Sequence, residues 1–355
     1  MGDPTVDGDA IGVVAADWLH GRLRRGTGRV VGAGSRAAYI EMDPGGGGTE
    51  DVTRRPWMLA VEDHRGVGLP CGLRLPAAHA TVLDRVRTGL PVTMVDGVVT
   101  VATTPLIRLQ ALRWHRCRPG VTAPDIRVLR PRLDDLLSAG THPGRLGQAE
   151  SVSRDDAGHT STPSGSEPPG RGWWQARWPL LDPVLARGVQ ELAALVAGSD
   201  TVDPTAVVDR LLGHGPGSTP AGDDLLAGFV ATSRVLGVPA HHDLDAVATA
   251  MLAQAHARTT LLSATLLACA ADGAMAVPAA GFLQVLLAPS SSGDRVDAAF
   301  DHLARIGHTS GRDLALGIVG AVRAHATASA SRSPSAAPQE SGIMGGGTTT
   351  STGST

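Results

Sequence analysis

Gly213-His214-Gly215-Pro216-Gly217-Ser218-Thr219-Pro220-Ala221-Gly222-Asp223-Asp224 runs directly into an apolar helical pattern, Leu225, Leu226, Phe229 and Val230. Glycine lets a backbone take positive φ and lets a ligand come close to the main chain. Thr219 followed by Pro220 has the order of an N-cap and a first helical residue. The free N–H groups of such a helix start can bind an anion. Asp223 and Asp224 put negative charge beside it, which is compatible with an anion if Mg²⁺ or an arginine lies between. The alternative is a tight turn whose acids only favour the helix N-terminus.

Two later segments share this character. His256-Ala257-Arg258-Thr259-Thr260, with Ser263 one turn on, offers a bidentate guanidinium and three hydroxyls. Its plainer reading is a capped helix junction with a surface arginine. Gly307-His308-Thr309-Ser310-Gly311-Arg312-Asp313 again opens an apolar helix, and Gly222 to Gly228 can be laid over Gly311 to Gly317. His308 is a candidate acid or base; a hydrogen-bonded structural histidine is the competing account. His241-His242-Asp243 has metal-ligand composition only, because adjacent loop histidines point apart, and zinc is not expected there.

Outward from these segments, residues 180–325 are dominated by helical periodicity. Helices are expected at Pro183–Ala197, Pro204–Leu212, Asp223–Leu236, Leu244–His256, Thr260–Ala271, Pro278–Ala288, Arg295–Ile306 and Asp313–Ala324. Upstream, short β-like runs are broken by Gly and Pro: Val30–Val31, Ala37–Met42, Trp57–Val61, Gly72–Leu75, Val92–Val95, Val98–Thr103 and Ile126–Leu129. Asp96-Gly97 suits a type I′ hairpin turn. Thr81–Thr88 suits a short helix, and residues 9–20 an amphipathic one. The expected class is α+β. A β-rich N-terminal domain (1–137), a small antiparallel sheet or partial barrel behind a leading amphipathic helix, precedes an α-helical bundle domain (173–325). Residues 138–172 read as a disordered linker or insert and 326–355 as a disordered tail, for want of large apolar residues.

Composition excludes several classes. A net charge of −3 provides no basic field for nucleic acid, and one Tyr and three Phe provide no stacking platform. No apolar run reaches membrane-spanning length, and the acidic start MGDPTVDGDA lacks a secretory n-region. Cys71, Cys117 and Cys269 are odd in number and far apart, which suits a reducing cytoplasm. The chain contains no lysine; all 31 basic residues are arginine. A pyridoxal phosphate Schiff base and a Walker lysine are therefore excluded. No NAD-type glycine fingerprint follows a strand.

In these three segments the chain resembles an uncharacterised bacterial domain family with a G-x-G-P-G-x-T-P-x-G-D-D hallmark. Gly213 to Asp224 matches the hallmark, Arg258-Thr259-Thr260-Leu261-Leu262-Ser263 matches R-T-T-x-x-S, and Gly307 to Gly311 matches G-H-T/S-S-G. The resemblance covers roughly residues 200–325. Its best-understood member is a subunit of the oxamate carbamoyltransferase of allantoin breakdown, which with two partner subunits converts oxalurate and phosphate to oxamate and carbamoyl phosphate. The resemblance implies a subunit of a carbamoyl-transferring hetero-oligomer in purine nitrogen catabolism. The alternative is a non-catalytic anion-sensing or scaffolding subunit.

With the residue chemistry, it nominates Asp223, Asp224, Arg258 and His308 as catalytic. It nominates Gly215, Gly217, Ser218, Thr219, Gly222, Thr259, Thr260, Ser263, Thr309, Ser310 and Gly311 for a small anion (phosphate, carbamoyl phosphate or an oxalurate-like substrate). Asp223 and Asp224 are the candidate Mg²⁺ ligands. No nucleic acid and no membrane partner is expected.

Overall fold

The computed structural model describes residues 6–7, 14–20, 22–23, 25–43, 55–109, 113–119, 177–178, 180–237 and 242–331. Ten strands come first: β1 (Val6–Asp7), β2 (Val14–Ala16), β3 (Gly26–Ala33), β4 (Ala37–Asp43), β5 (Trp57–Glu62), β6 (Gly72–Arg74), β7 (Pro91–Val95), β8 (Val98–Val101), β9 (Thr104–Arg108) and β10 (Arg113–His115). Helices follow: α1 (Pro183–Val196), α2 (Pro204–Leu211), α3 (Ala221–Leu236), α4 (His242–Arg258), α5 (Leu261–Ala271), α6 (Val277–Leu287), α7 (Gly293–Leu303) and α8 (Ser310–Ser331). The chain is α+β, a β-rich half followed by a helical one.

All the described strands join one sheet in the order β1-β9-β8-β7-β3-β4-β5-β6-β2-β10. Alternating apolar residues give β4, β7 and β8 one buried face, with Ala38, Ile40, Met42, Val92, Met94, Val99 and Val101 inside. β5 is buried along its whole length, as expected of a strand covered on both faces. The β7–β8 hairpin turns on Asp96 (φ 51°) and Gly97 (φ 75°), the positive φ pair that a type I′ turn needs.

Four expectations for this half change. The sheet is mixed, since β1–β9, β5–β6 and β2–β10 pair in parallel. The leading helix gives way to strand β2 and a 3-10 turn at Asp17–Leu19, with residues 9–13 outside the described part. Val14, Ala15 and Ala16 pair with β10, and Val14 and Ala15 also with β6, so strand pairing overrides a weak helical period. The helix expected at 81–88 is a 3-10 segment at Ala77–Arg85. The run Val98–Thr103 also breaks at Ala102 (φ 55°), in the turn before β9 begins at Thr104. Ile126–Leu129 and the insert 138–172 lie outside the described residues.

Each expected helix is present within a few residues. α1 and α2 begin with Asp182 and Asp203 accepting from Val184 and Thr205 N–H groups, each ahead of a proline. α8 continues to Ser331, with Ala326 and Ala328 buried, so residues 326–331 are helix and not tail; residues 332–355 lie outside the described residues.

The halves share a core. Cys269 of α5 and Ala274 are buried with Leu59, Leu73 and Met94 of the sheet. Met58 N–H donates to Thr265 Oγ1 (2.9 Å), and Trp18 Nε1 donates to Asp272 Oδ2 (3.0 Å). α3 and α8 cross through reciprocal glycines. A Cβ on Gly228 would strike the Leu314 carbonyl, and one on Gly317 the Leu225 carbonyl. That crossing brings two polar helix starts side by side.

Candidate functional site

The loop 213–220 leaves α2 and enters α3. Gly213, Gly215 and Gly217 have φ of 76°, 106° and 101°, so this path requires glycine. Gly222 packs its bare Cα against the Leu211 carbonyl at the end of α2, and Gly311 does the same against Leu303 at the end of α7. The two helix starts are built alike, as the overlay of their sequences suggests. Residues 215–218 are exposed.

Both later segments are hydrogen-bonded to this loop region. Asp223, 1% exposed, accepts from Gly213 N–H at Oδ1 (2.7 Å) and from Ser263 Oγ at Oδ2 (2.6 Å). Thr259 Oγ1 also donates to Asp223 Oδ2. Thr260 Oγ1 donates to the Ser218 carbonyl and caps α5 by accepting from Ser263 N–H. Thr219 Oγ1 and Ser310 Oγ lie 2.8 Å apart, tying the start of α3 to that of α8. Thr219 is therefore not the N-cap. Pro220 holds that position without a side-chain bond, and the threonine hydroxyl is turned across to α8.

Adjacent residues on a helix project about 100° apart, and Asp223 and Asp224 show the consequence. Asp223 takes the donors of Gly213, Thr259 and Ser263; Asp224 faces α8. Ser310 and Thr219 hydrogen-bond to the Asp224 carboxyl, yet its Oδ2 is buried without a partner among the described residues. Burial, with the charges of Asp313 and Asp223, pushes Asp224 up to about 8. A cation held between Asp223 and Asp224 does not fit this arrangement, because both Asp223 oxygens are engaged by protein donors. Among the described residues no group of three or more His, Cys, Asp or Glu is arranged to hold a metal.

Asp313, in the first turn of α8, was not among the nominated residues. It is 7% exposed, its Oδ2 also lacks a partner among the described residues, and burial raises its pKa despite a hydrogen bond from Thr309. The overlay of Gly222 to Gly228 on Gly311 to Gly317 pairs it with Asp224, and that was the available signal. His214 and Asp182 are a second addition. Nε2 and Oδ2 are 3.0 Å apart, a contact that lowers the Asp182 pKa and fixes the loop to α1.

Arg258 is turned away from the carboxyl groups. Nη1 donates to Asp209 Oδ1 (2.8 Å) and Gln254 Oε1 (2.9 Å), and Nη2 to the Asp209 carbonyl (2.6 Å). It satisfies carbonyls at the end of α2 that the helix leaves open. His308 and Thr309 are exposed in the turn before α8. The described geometry thus joins Asp223 with Thr259 and Ser263, and Asp224 with Thr219, Ser310 and Asp313. Arg258 belongs to neither group.

A mixed sheet fused to a helical half that carries a polar glycine loop at paired helix starts defines an α+β protein with one candidate ligand region. Within that helical region, residues 211–322 are similar to the family described as oxamate carbamoyltransferase subunit AllH, whose model they match. The match runs from the last residue of α2 into α8 and contains all three polar segments. No curated protein and no solved structure matches the chain. Among the described residues no helix is long and apolar enough to cross a membrane.

Proposed function

We propose that the chain is a subunit of a cytoplasmic carbamoyl-transferring complex, and that loop 213–220 with the starts of α5 and α8 binds its small anionic substrate. One observation carries the reading: within the matched region, segments some forty and ninety residues downstream are hydrogen-bonded to the loop or its helix through Thr260–Ser218 and Thr219–Ser310 (|i−j| 42 and 91). The exposed backbone of Gly215, Gly217 and Ser218 and the helix start beside it suit phosphate, carbamoyl phosphate or oxalurate, with no lysine needed. In the reaction the family name implies, a phosphate oxygen attacks the carbamoyl carbon, the bond to the oxamate nitrogen breaks, and that nitrogen takes a proton. His308, exposed on the neighbouring turn, is the candidate proton donor. Asp223 and Arg258 act as positioning groups that hold the loop.

The engagement of Asp223 and Arg258 within the protein favours a second reading, a scaffolding subunit whose partners carry the chemistry. The test is carbamoyl phosphate formation from oxalurate and phosphate by the chain reconstituted with its partner subunits. His308→Ala with intact assembly should lower turnover at least roughly a hundredfold if the histidine transfers the proton. Full activity of that variant supports the scaffold and removes His308 from the chemistry.

A further inference from the structure

The α3–α8 crossing leaves two carboxyl groups in equivalent places. Asp224 lies one turn before Gly228, and Asp313 one turn before Gly317, the two glycines through which the helices touch. Their chain neighbours Leu225 and Leu314 supply the carbonyls that those glycines contact. The acids therefore flank the crossing from opposite helices. Both are more than nine-tenths buried, and each has an Oδ2 without a partner among the described residues. Between the two helix starts lies the Thr219–Ser310 hydroxyl contact.

Two desolvated carboxyl groups cannot both remain charged at this spot without a compensating cation. Arg258 is committed to Asp209, and the charges that act on Asp224 are those of Asp313 and Asp223, both negative. Arg312 is exposed and offsets only Asp313. Each hydroxyl that donates to a carboxylate keeps lone pairs to offer.

We infer that Asp224 and Asp313, with the hydroxyls of Thr219 and Ser310, bind one hard divalent cation such as Mg²⁺ or Mn²⁺. The donors are all oxygen, which selects this class over zinc. Two protein carboxylates with the remaining positions left to hydroxyls, water or a substrate oxygen is a common Mg²⁺ arrangement. The inference is independent of the carbamoyl-transfer reading, because the metal is the ligand tested.

The experiment titrates the full chain with Mn²⁺ alone, followed by calorimetry and by the electron paramagnetic resonance of free Mn²⁺. Thermal melts are run with and without Mg²⁺. One equivalent of Mn²⁺ should bind. Asp224→Asn and Asp313→Asn should each weaken it at least roughly tenfold and abolish the Mg²⁺-induced rise in Tm. Asp96→Asn, exposed in the β7–β8 hairpin of the sheet, should bind as the parent does. Both site variants replace a buried carboxyl group by an amide of the same shape, so their metal-free melts should not fall below that of the parent and folding will not obscure the result. Absence of saturable Mn²⁺ binding by the parent, or undiminished binding in both site variants, overturns the assignment.

Discussion

Asp223 and Asp224 are neighbours with opposite surroundings, and their substitutions should differ in kind. Removing the Asp223 carboxylate strands Gly213 N–H and the hydroxyls of Thr259 and Ser263. With one buried and two half-buried partners abandoned, each at the lower end of about 1–3 kcal/mol, Asp223→Ala should cost about 3–5 kcal/mol in urea unfolding. Arg258 also makes several bonds, but its side chain is 35% exposed, so Arg258→Ala should cost about 1 kcal/mol. Equal losses for the two would contradict the assignment of Asp223 as the buried anchor. The sequence marks both acids, because a doublet after a glycine run is visible in one dimension. Their division of labour is not visible, since it depends on helix rotation and on partners such as Thr259, 36 residues away.

At the scale of elements, the α3–α8 crossing makes a prediction whose sign opposes helix propensity. Alanine in place of a helical glycine ordinarily gains about 1 kcal/mol. At Gly228 or Gly317 the new Cβ meets backbone of the facing helix, so Gly228→Ala and Gly317→Ala should each destabilise by about 1–3 kcal/mol. Gly281 in α6 has nothing within 4 Å of its would-be Cβ, and Gly281→Ala should stabilise by about 0.5–1 kcal/mol. Stabilisation by all three in chemical denaturation would mean that the crossing is not close-packed. The helices were legible because long apolar periods, Asp-Pro starts and glycine stops agree. Strands β1, β2, β9 and β10 were not, since two to five residues carry too little pattern and their pairing is decided at the sheet edge. The Thr219 cap failed for a related reason: the hydroxyl has a partner on α8 that local sequence does not reveal.

Across the whole molecule, Glu62, Asp224 and Asp313 are buried carboxyl groups whose pKa values are all raised, chiefly by burial. Each holds its proton more tightly in the folded chain than in the unfolded one. Their contribution to stability is complete below the ordinary carboxylate range and is lost as pH rises through their folded values, ending near 8 for Asp224. Metal-free protein should therefore lose stability between about pH 4 and pH 8, by at most about 1.4 kcal/mol per pH unit for each group. Asp224→Asn should flatten that slope, and stability that rises with pH equally in both proteins would contradict it.

The shared core makes a second global prediction. Burial pushes Cys71 and Cys117 up to about 12 and raises Cys269 well above the ordinary thiol range. All three should resist a thiol reagent in the native protein and react together on unfolding. Early release of Cys269 alone would show that sheet and helices separate first.

The claim that joins these scales is that the glycine loop holds a small anion, and calorimetry on the isolated chain tests it most directly. Gly217 is exposed at φ 101° with nothing within 4 Å of a Cβ, so Gly217→Val disturbs the loop and leaves the packed core untouched. Carbamoyl phosphate or inorganic phosphate should bind the parent chain and fail to bind Gly217→Val, whose helical circular dichroism stays the same. Undiminished binding by that variant, or no binding by the parent, would contradict the account.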